Sequence, residues 1–90
     1  IYRPDFYLKD YDIWLEHFGI DENNRAIWLN QFQEKQYIED INLKRQTHRE
    51  NNTKLIETYS YYNRDNVLIK KLKELLENEN VSFKPLNSKE

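Results

Sequence analysis

Asp5, Glu16, Lys44 and His48 are the residues of this chain whose types and spacing could do chemistry. The first two lie in "RPDFYLKDYDIWLEHFG", residues 3–19, where two short strand-like stretches each carry one carboxylate. Lys9-Asp10 between the stretches fits a two-residue turn. Leu8 then faces Tyr11, Asp5 faces Trp14 and Arg3 faces Glu16, so Asp5 and Glu16 share one sheet surface as diagonal neighbours roughly 7–8 Å apart. Two carboxylates that close repel unless a cation or a proton lies between them. Their hard oxygens suit Mg²⁺ or Mn²⁺ better than zinc. The plainer alternative is a solvated hairpin face on which Arg3 pairs with Glu16.

Lys44 and His48 belong to a second element. No Gly or Pro interrupts the run from Trp28 or Asn30 to Glu50, and "ENN" closes it, which predicts a long helix. Steps of about 100° per residue put Tyr37, Ile41, Lys44 and His48 in one narrow arc and turn Leu43 away. A lysine and a histidine on an inward stripe cost desolvation unless acidic groups or an opening to solvent receive them. Alternatively Lys44 snorkels past the core edge and His48 caps a carbonyl near the helix end.

The elements that must position these residues follow from periodicity. Residues 2–8 and 11–19 predict a hairpin, "GIDENNR" a loop, and "TKLIETYSY" a third strand. Asp65 is placed to cap a second helix with an apolar stripe of Leu68, Ile69, Leu72, Leu75 and Leu76, ending near Asn78 or Asn80. "VSFKP" predicts a short final strand that Pro85 stops. The order is β-β-α-β-α-β, an α/β fold with a mixed sheet and flanking helices.

Composition narrows the functions. Ninety residues without cysteine describe one small domain stabilised by packing rather than by disulfides or thiolate zinc. Seven Tyr, four Phe and two Trp supply the large side chains for that packing. A net charge of −2 excludes a generally basic nucleic-acid coat, so any DNA contact would be a local patch. No signal or membrane-spanning segment is visible, which predicts a soluble, cytoplasmic protein with no membrane partner. The chain starts at Ile1 and holds no Met, which reads as a piece of something longer. His17 and His48 give no zinc spacing, and His17 alternates to the face opposite Glu16, as a core or helix-facing histidine. Tyr59, Tyr61 and Tyr62 either stack on bases or pack. No G-x-x-x-x-G-K-[ST] loop is present, so these residues carry no ATP site.

Pro4-Asp5 followed by Glu16-x-x-Gly19 resembles the PD-(D/E)xK nuclease superfamily. The blocks "YRPDFYL", "WLEHFGI", "LKRQTHRENNTKLIETYS" and "LLENENVSFKP" resemble more closely the nuclease-like segment of UvrD/Rep-type superfamily 1 DNA helicases, over nearly the whole chain. The resemblance implies a restriction-endonuclease-like mixed sheet whose initial helix and strand precede residue 1. It implies a single nuclease-like domain, residues 1–90, cut from a larger helicase chain and partnered by DNA and by the motor domains of that chain. Its site would place Asp5, Glu16 and the carbonyl after Glu16 on Mg²⁺ or Mn²⁺, with Lys44 orienting water or stabilising the phosphate and His48 touching phosphate or moving a proton. The family's lysine normally stands two residues after the glutamate, where this chain has Phe18. In some members a neighbouring helix supplies it, and Lys44 is placed to do so. Arg45, Lys54 and Glu57 are secondary candidates. Lys54 is either a site cation or solvated, and Glu57 either a further ligand or a satisfied strand acid. Two functions follow: metal-dependent phosphodiester hydrolysis on DNA, or a nuclease fold without chemistry that serves as a DNA-docking or interdomain module.

Overall fold

The computed structural model describes residues 3–81. Three strands, β1 (Phe6–Leu8), β2 (Ile13–Phe18) and β3 (Lys54–Tyr59), form one sheet in the order β1-β2-β3. The first pair is antiparallel and the second parallel, so the sheet is mixed. The helices are α1 (Gln31–Glu50), α2 (Ser60–Arg64) and α3 (Leu68–Asn78). The order is therefore β-β-α-β-α-α among the described residues; four of the five residues predicted as a final strand lie outside them, and Val81 is not in a strand.

Alternation along β2 sends its side chains to two different layers. Ile13 and Leu15 join Ile56 of β3 and Leu76 of α3, with Leu72, Leu75 and Val81 packed around them. Phe18, on the opposite face, joins Ile20, Ala26 and Ile41 of α1, with Tyr37, Ile38 and Tyr59 alongside. The sheet is thus covered by α3 on one side and α1 on the other. Because β2 and β3 run parallel, the chain must cross between them, and α1 makes that crossing over the face that carries Glu16.

The hairpin differs from expectation in register. Phe6 faces Leu15, Tyr7 faces Trp14 and Leu8 faces Ile13. The turn spans four residues, Lys9 to Asp12, closed by Tyr11 N–H to Leu8 and Asp12 N–H to Lys9. A two-residue turn needs left-handed backbone that Lys9 and Asp10 do not favour. Asp12 takes that conformation instead, at φ 53°, and its carboxylate accepts the Tyr7 hydroxyl at 2.6 Å. The slip is two residues, so every side chain keeps its face. Asp5 precedes β1 and stands outside the paired register, although it lines one cleft with Glu16.

Helix α1 begins where the sequence places it. Asn30 accepts from Gln33 N–H, and the Gln33 side chain accepts from Asn30 N–H, a reciprocal cap. With one glycine in the chain, asparagine takes over its usual role at helix ends: Asn52, Asn66 and Asn80, each following a helix's C-cap, are left-handed. Three further expectations are corrected. The first strand, predicted over residues 2–8, runs from Phe6 to Leu8, and residues 3–5 are not in a strand. The strand predicted through Tyr61 stops at Tyr59, and Ser60 starts α2 with its hydroxyl bonded to the Ile20 carbonyl. Asp65 does not cap α3; it closes α2, and Val67 precedes α3 without a side-chain cap.

Candidate functional site

A cleft of about 410 Å³ opens between the first strands and α1. Asp5, Glu16, Phe18, Tyr37, Asp40 and Lys44 are among its lining residues. Strand β2 presents Glu16 into the layer under α1, and only 1% of the residue is exposed. A buried carboxylate needs compensation. It comes from Lys44, whose Nζ stands 3.6 Å from Glu16 Oε1 while the lysine stays about one-third exposed at the cleft. The inward lysine and the inward glutamate of the sequence thus answer one another, and the solvated Arg3–Glu16 alternative is replaced by this buried pair. Asp5 is exposed, and its Oδ2 accepts the His17 N–H at 2.8 Å. That bond ties the segment before β1 to β2 beside Glu16.

Phe18 lies at the floor, 2% exposed, with Lys44 and Arg45 5.8 and 5.7 Å from its ring centroid. The ring's negative face favours both cations. Asp40 and Thr47 line the cleft without having been singled out in the sequence. Their signal was present: Asp40 stands one helical turn before Lys44, and Thr47 one turn after.

The other candidates separate into distinct places. Arg45 grips Glu57 with two bonds of 2.8 Å, and Tyr59 donates its hydroxyl to the same carboxylate at 2.8 Å. Glu57 is therefore a satisfied strand acid, level with Glu16 across the parallel register. The Glu57 carboxylate raises the Arg45 pKa, and burial followed by the bond to Glu57 pushes the Tyr59 phenol well above its ordinary range. Lys54 lies beyond the cleft, paired with Glu79 at 3.3 Å. Tyr59, Tyr61 and Tyr62 pack on one another with centroids 5.0–5.5 Å apart.

His48 does not line the cleft. It is buried behind it, edge-on to Trp14 at 5.3 Å, with Nδ1 2.6 Å from the Thr53 hydroxyl. Burial holds its pKa below the ordinary histidine value, and the Glu16 charge opposes that shift. His17 takes the other side of the sheet, as its alternation implies, with Nδ1 2.8 Å from Thr58 Oγ1.

The site therefore unites Asp5, Glu16 and Lys44 and leaves Arg45, Glu57, Lys54 and His48 around it. Among the described residues, no three His, Cys, Asp or Glu side chains converge as a ready-made metal cluster, and no helix is long and apolar enough to cross a membrane. No protein-family model, curated protein or solved structure matches the chain.

Proposed function

We propose that the chain is a nuclease-like accessory domain of a DNA helicase with a restriction-endonuclease-like core, and that its cleft hydrolyses DNA phosphodiesters with Mg²⁺ or Mn²⁺. The observation that carries this reading is the Lys44–Glu16 pair, which brings a lysine from α1 to a cleft shared with Asp5. It supplies the cation that Phe18 cannot. Two carboxylates with hard oxygen donors at one water-accessible cleft fit a divalent ion in chemistry, and Asp5 and Glu16 would hold it. When bound, such an ion supplies a more acidic water and charge neutralisation at phosphate. Lys44 then has two tasks: it compensates Glu16, and its exposed end faces charge developing on phosphate oxygens. His48, braced by Thr53 and Trp14, fixes the corner between α1 and β3 and so positions Lys44 one turn away.

The test is cleavage of DNA by the full chain in Mn²⁺, with Asp5→Asn and Glu16→Gln. Each variant should lose activity by at least about a hundredfold while the fold persists. Broadening of the Asp5 and Glu16 amide signals by Mn²⁺ is the accompanying non-kinetic readout. Cleavage that survives in both variants removes the reading.

A second reading draws on Phe18, buried beneath Lys44 where the family's lysine would stand. It makes the domain a docking module without chemistry. Salt-sensitive DNA binding that persists in Asp5→Asn, with no cleavage by the wild-type chain, is its expected outcome.

A further inference from the structure

Glu16 is offered to a metal ion, yet its side chain is 2% exposed. Mg²⁺ keeps several of its waters when it binds protein carboxylates. A hydrated ion of that size reaches Glu16 only if a side chain covering the carboxylate moves. Asp5 raises no such obstacle: it is exposed, and the bond from the His17 N–H fixes it at the cleft. The contested oxygen therefore belongs to Glu16.

Two adjacent cations of α1 lie against the acids of neighbouring strands, and they are held differently. Arg45 grips Glu57 with two bonds of 2.8 Å, and Tyr59 adds a third to the same carboxylate. Glu57 is locked. Lys44 Nζ stands 3.6 Å from Glu16 Oε1, well beyond the roughly 2.7–2.9 Å of a charge-assisted hydrogen bond. The lysine is about one-third exposed at the cleft, and its ammonium is a point charge on a flexible stem. Such a contact opens without breaking a fork of bonds. A divalent ion at Glu16 also places two positive charges beside the ammonium, and like charges repel most where water is scarce. The two cations do not share the carboxylate at close range, so Lys44 has to swing outward into the cleft.

Phosphate supplies the destination. A phosphodiester anion in the cleft draws the ammonium away from Glu16, and an ion at Glu16 drives the ammonium toward that phosphate. Each event does part of the other's work, and linkage makes the effect reciprocal.

We propose that Lys44 is a latch on Glu16: it closes the carboxylate until a DNA phosphodiester draws the ammonium away, so that the divalent ion and the substrate phosphate bind cooperatively. The proposal rests on the reading of the cleft as a metal-dependent DNA site, but ion binding is measured without cleavage.

The experiment measures Mn²⁺ binding to the full chain from the loss of the free-ion EPR signal and locates it by broadening of the Glu16 amide signal. Lys44→Met removes the latch, and Lys44→Gln removes it while keeping a polar tip. Lys54→Met makes the same change of charge outside the cleft. Mn²⁺ should bind about tenfold tighter to both Lys44 variants, within the roughly five- to 150-fold of common couplings, and no tighter to Lys54→Met. Dimethyl phosphate, a phosphodiester that stays intact during the titration, should tighten Mn²⁺ binding to wild type but not to Lys44→Met, relative to NaCl at equal ionic strength. In wild type, the Lys44 ε-methylene signals should shift as diamagnetic Mg²⁺ is added. Several outcomes overturn the latch: unchanged or weaker Mn²⁺ binding in both Lys44 variants, equal tightening in Lys54→Met, a phosphate effect absent from wild type or persisting in Lys44→Met, or unmoved Lys44 signals at saturating Mg²⁺. If neither wild type nor any variant binds Mn²⁺ at Glu16, the latch and the hydrolytic reading fall together. If the latch results hold while Mn²⁺ yields no DNA cleavage, the hydrolytic reading falls and the latch stands. If cleavage requires Asp5 and Glu16 but Mn²⁺ affinity ignores Lys44, the latch falls alone.

Discussion

Replacing Lys44 with Met removes an ammonium 3.6 Å from a carboxylate whose side chain is 2% exposed. At that separation and an effective dielectric of about 20, the raw attraction is roughly 4–5 kcal/mol. Two effects reduce it. Part of the attraction is spent on desolvating Glu16. The ammonium is also about one-third exposed, where solvent screens it. The net loss for Lys44→Met should be about 2 kcal/mol, between the roughly 0–1 of a surface pair and the 3–5 of a fully buried one. Glu16→Gln should cost less, about 1 kcal/mol, because Lys44 can turn to water while the amide remains where the carboxylate was. Urea unfolding of wild type, both single variants and the double variant closes a cycle. A coupling of at least about 1 kcal/mol is expected, since each single change removes the same interaction. Strictly additive losses would refute the claim that Lys44 is what permits a glutamate under α1.

Asn30→Ala removes the reciprocal cap with Gln33 and should cost about 1 kcal/mol, lowering the melting temperature by about 4–8 °C; an unchanged melt would mean that α1 does not depend on this start. His48 gives stability a pH dependence of definite sign. Its folded pKa is depressed by burial, so the unfolded chain binds the extra proton. The contribution is full above about pH 6.5 and is lost as pH falls from there toward the folded value. Glu16, the charged group that acts on it, makes the loss smaller. His48→Gln should flatten the stability profile between pH 5 and 7 measured by denaturant unfolding, and an unaltered slope would assign the titration elsewhere.

Much of the site was legible because helix and strand periods decide which way a side chain points. Tyr37, Ile41, Lys44 and His48 do face the sheet, and Glu16 and His17 do lie on opposite sides of it. The hairpin register was not legible, since Asp12 could enter the left-handed region and lengthen the turn. Even so, a slip of two conserves alternation along the paired residues, and Asp5 and Glu16 still line one cleft.

Local sequence determined where the three strands lie though not their ends, and with them the long capped helix, its inward stripe and the Asn-terminated helix ends, because each depends on backbone geometry within a few residues. Only the tertiary structure decided which charges meet. Lys44 could have snorkelled to water, and Glu57 could have joined Glu16 in the cleft. The parallel crossing of α1 over β2 and β3 puts Lys44 against one glutamate and its neighbour Arg45 against the other. Adjacent cations on a helix diverge by about 100°, and only a packed sheet beneath them settles which acid each one neutralises.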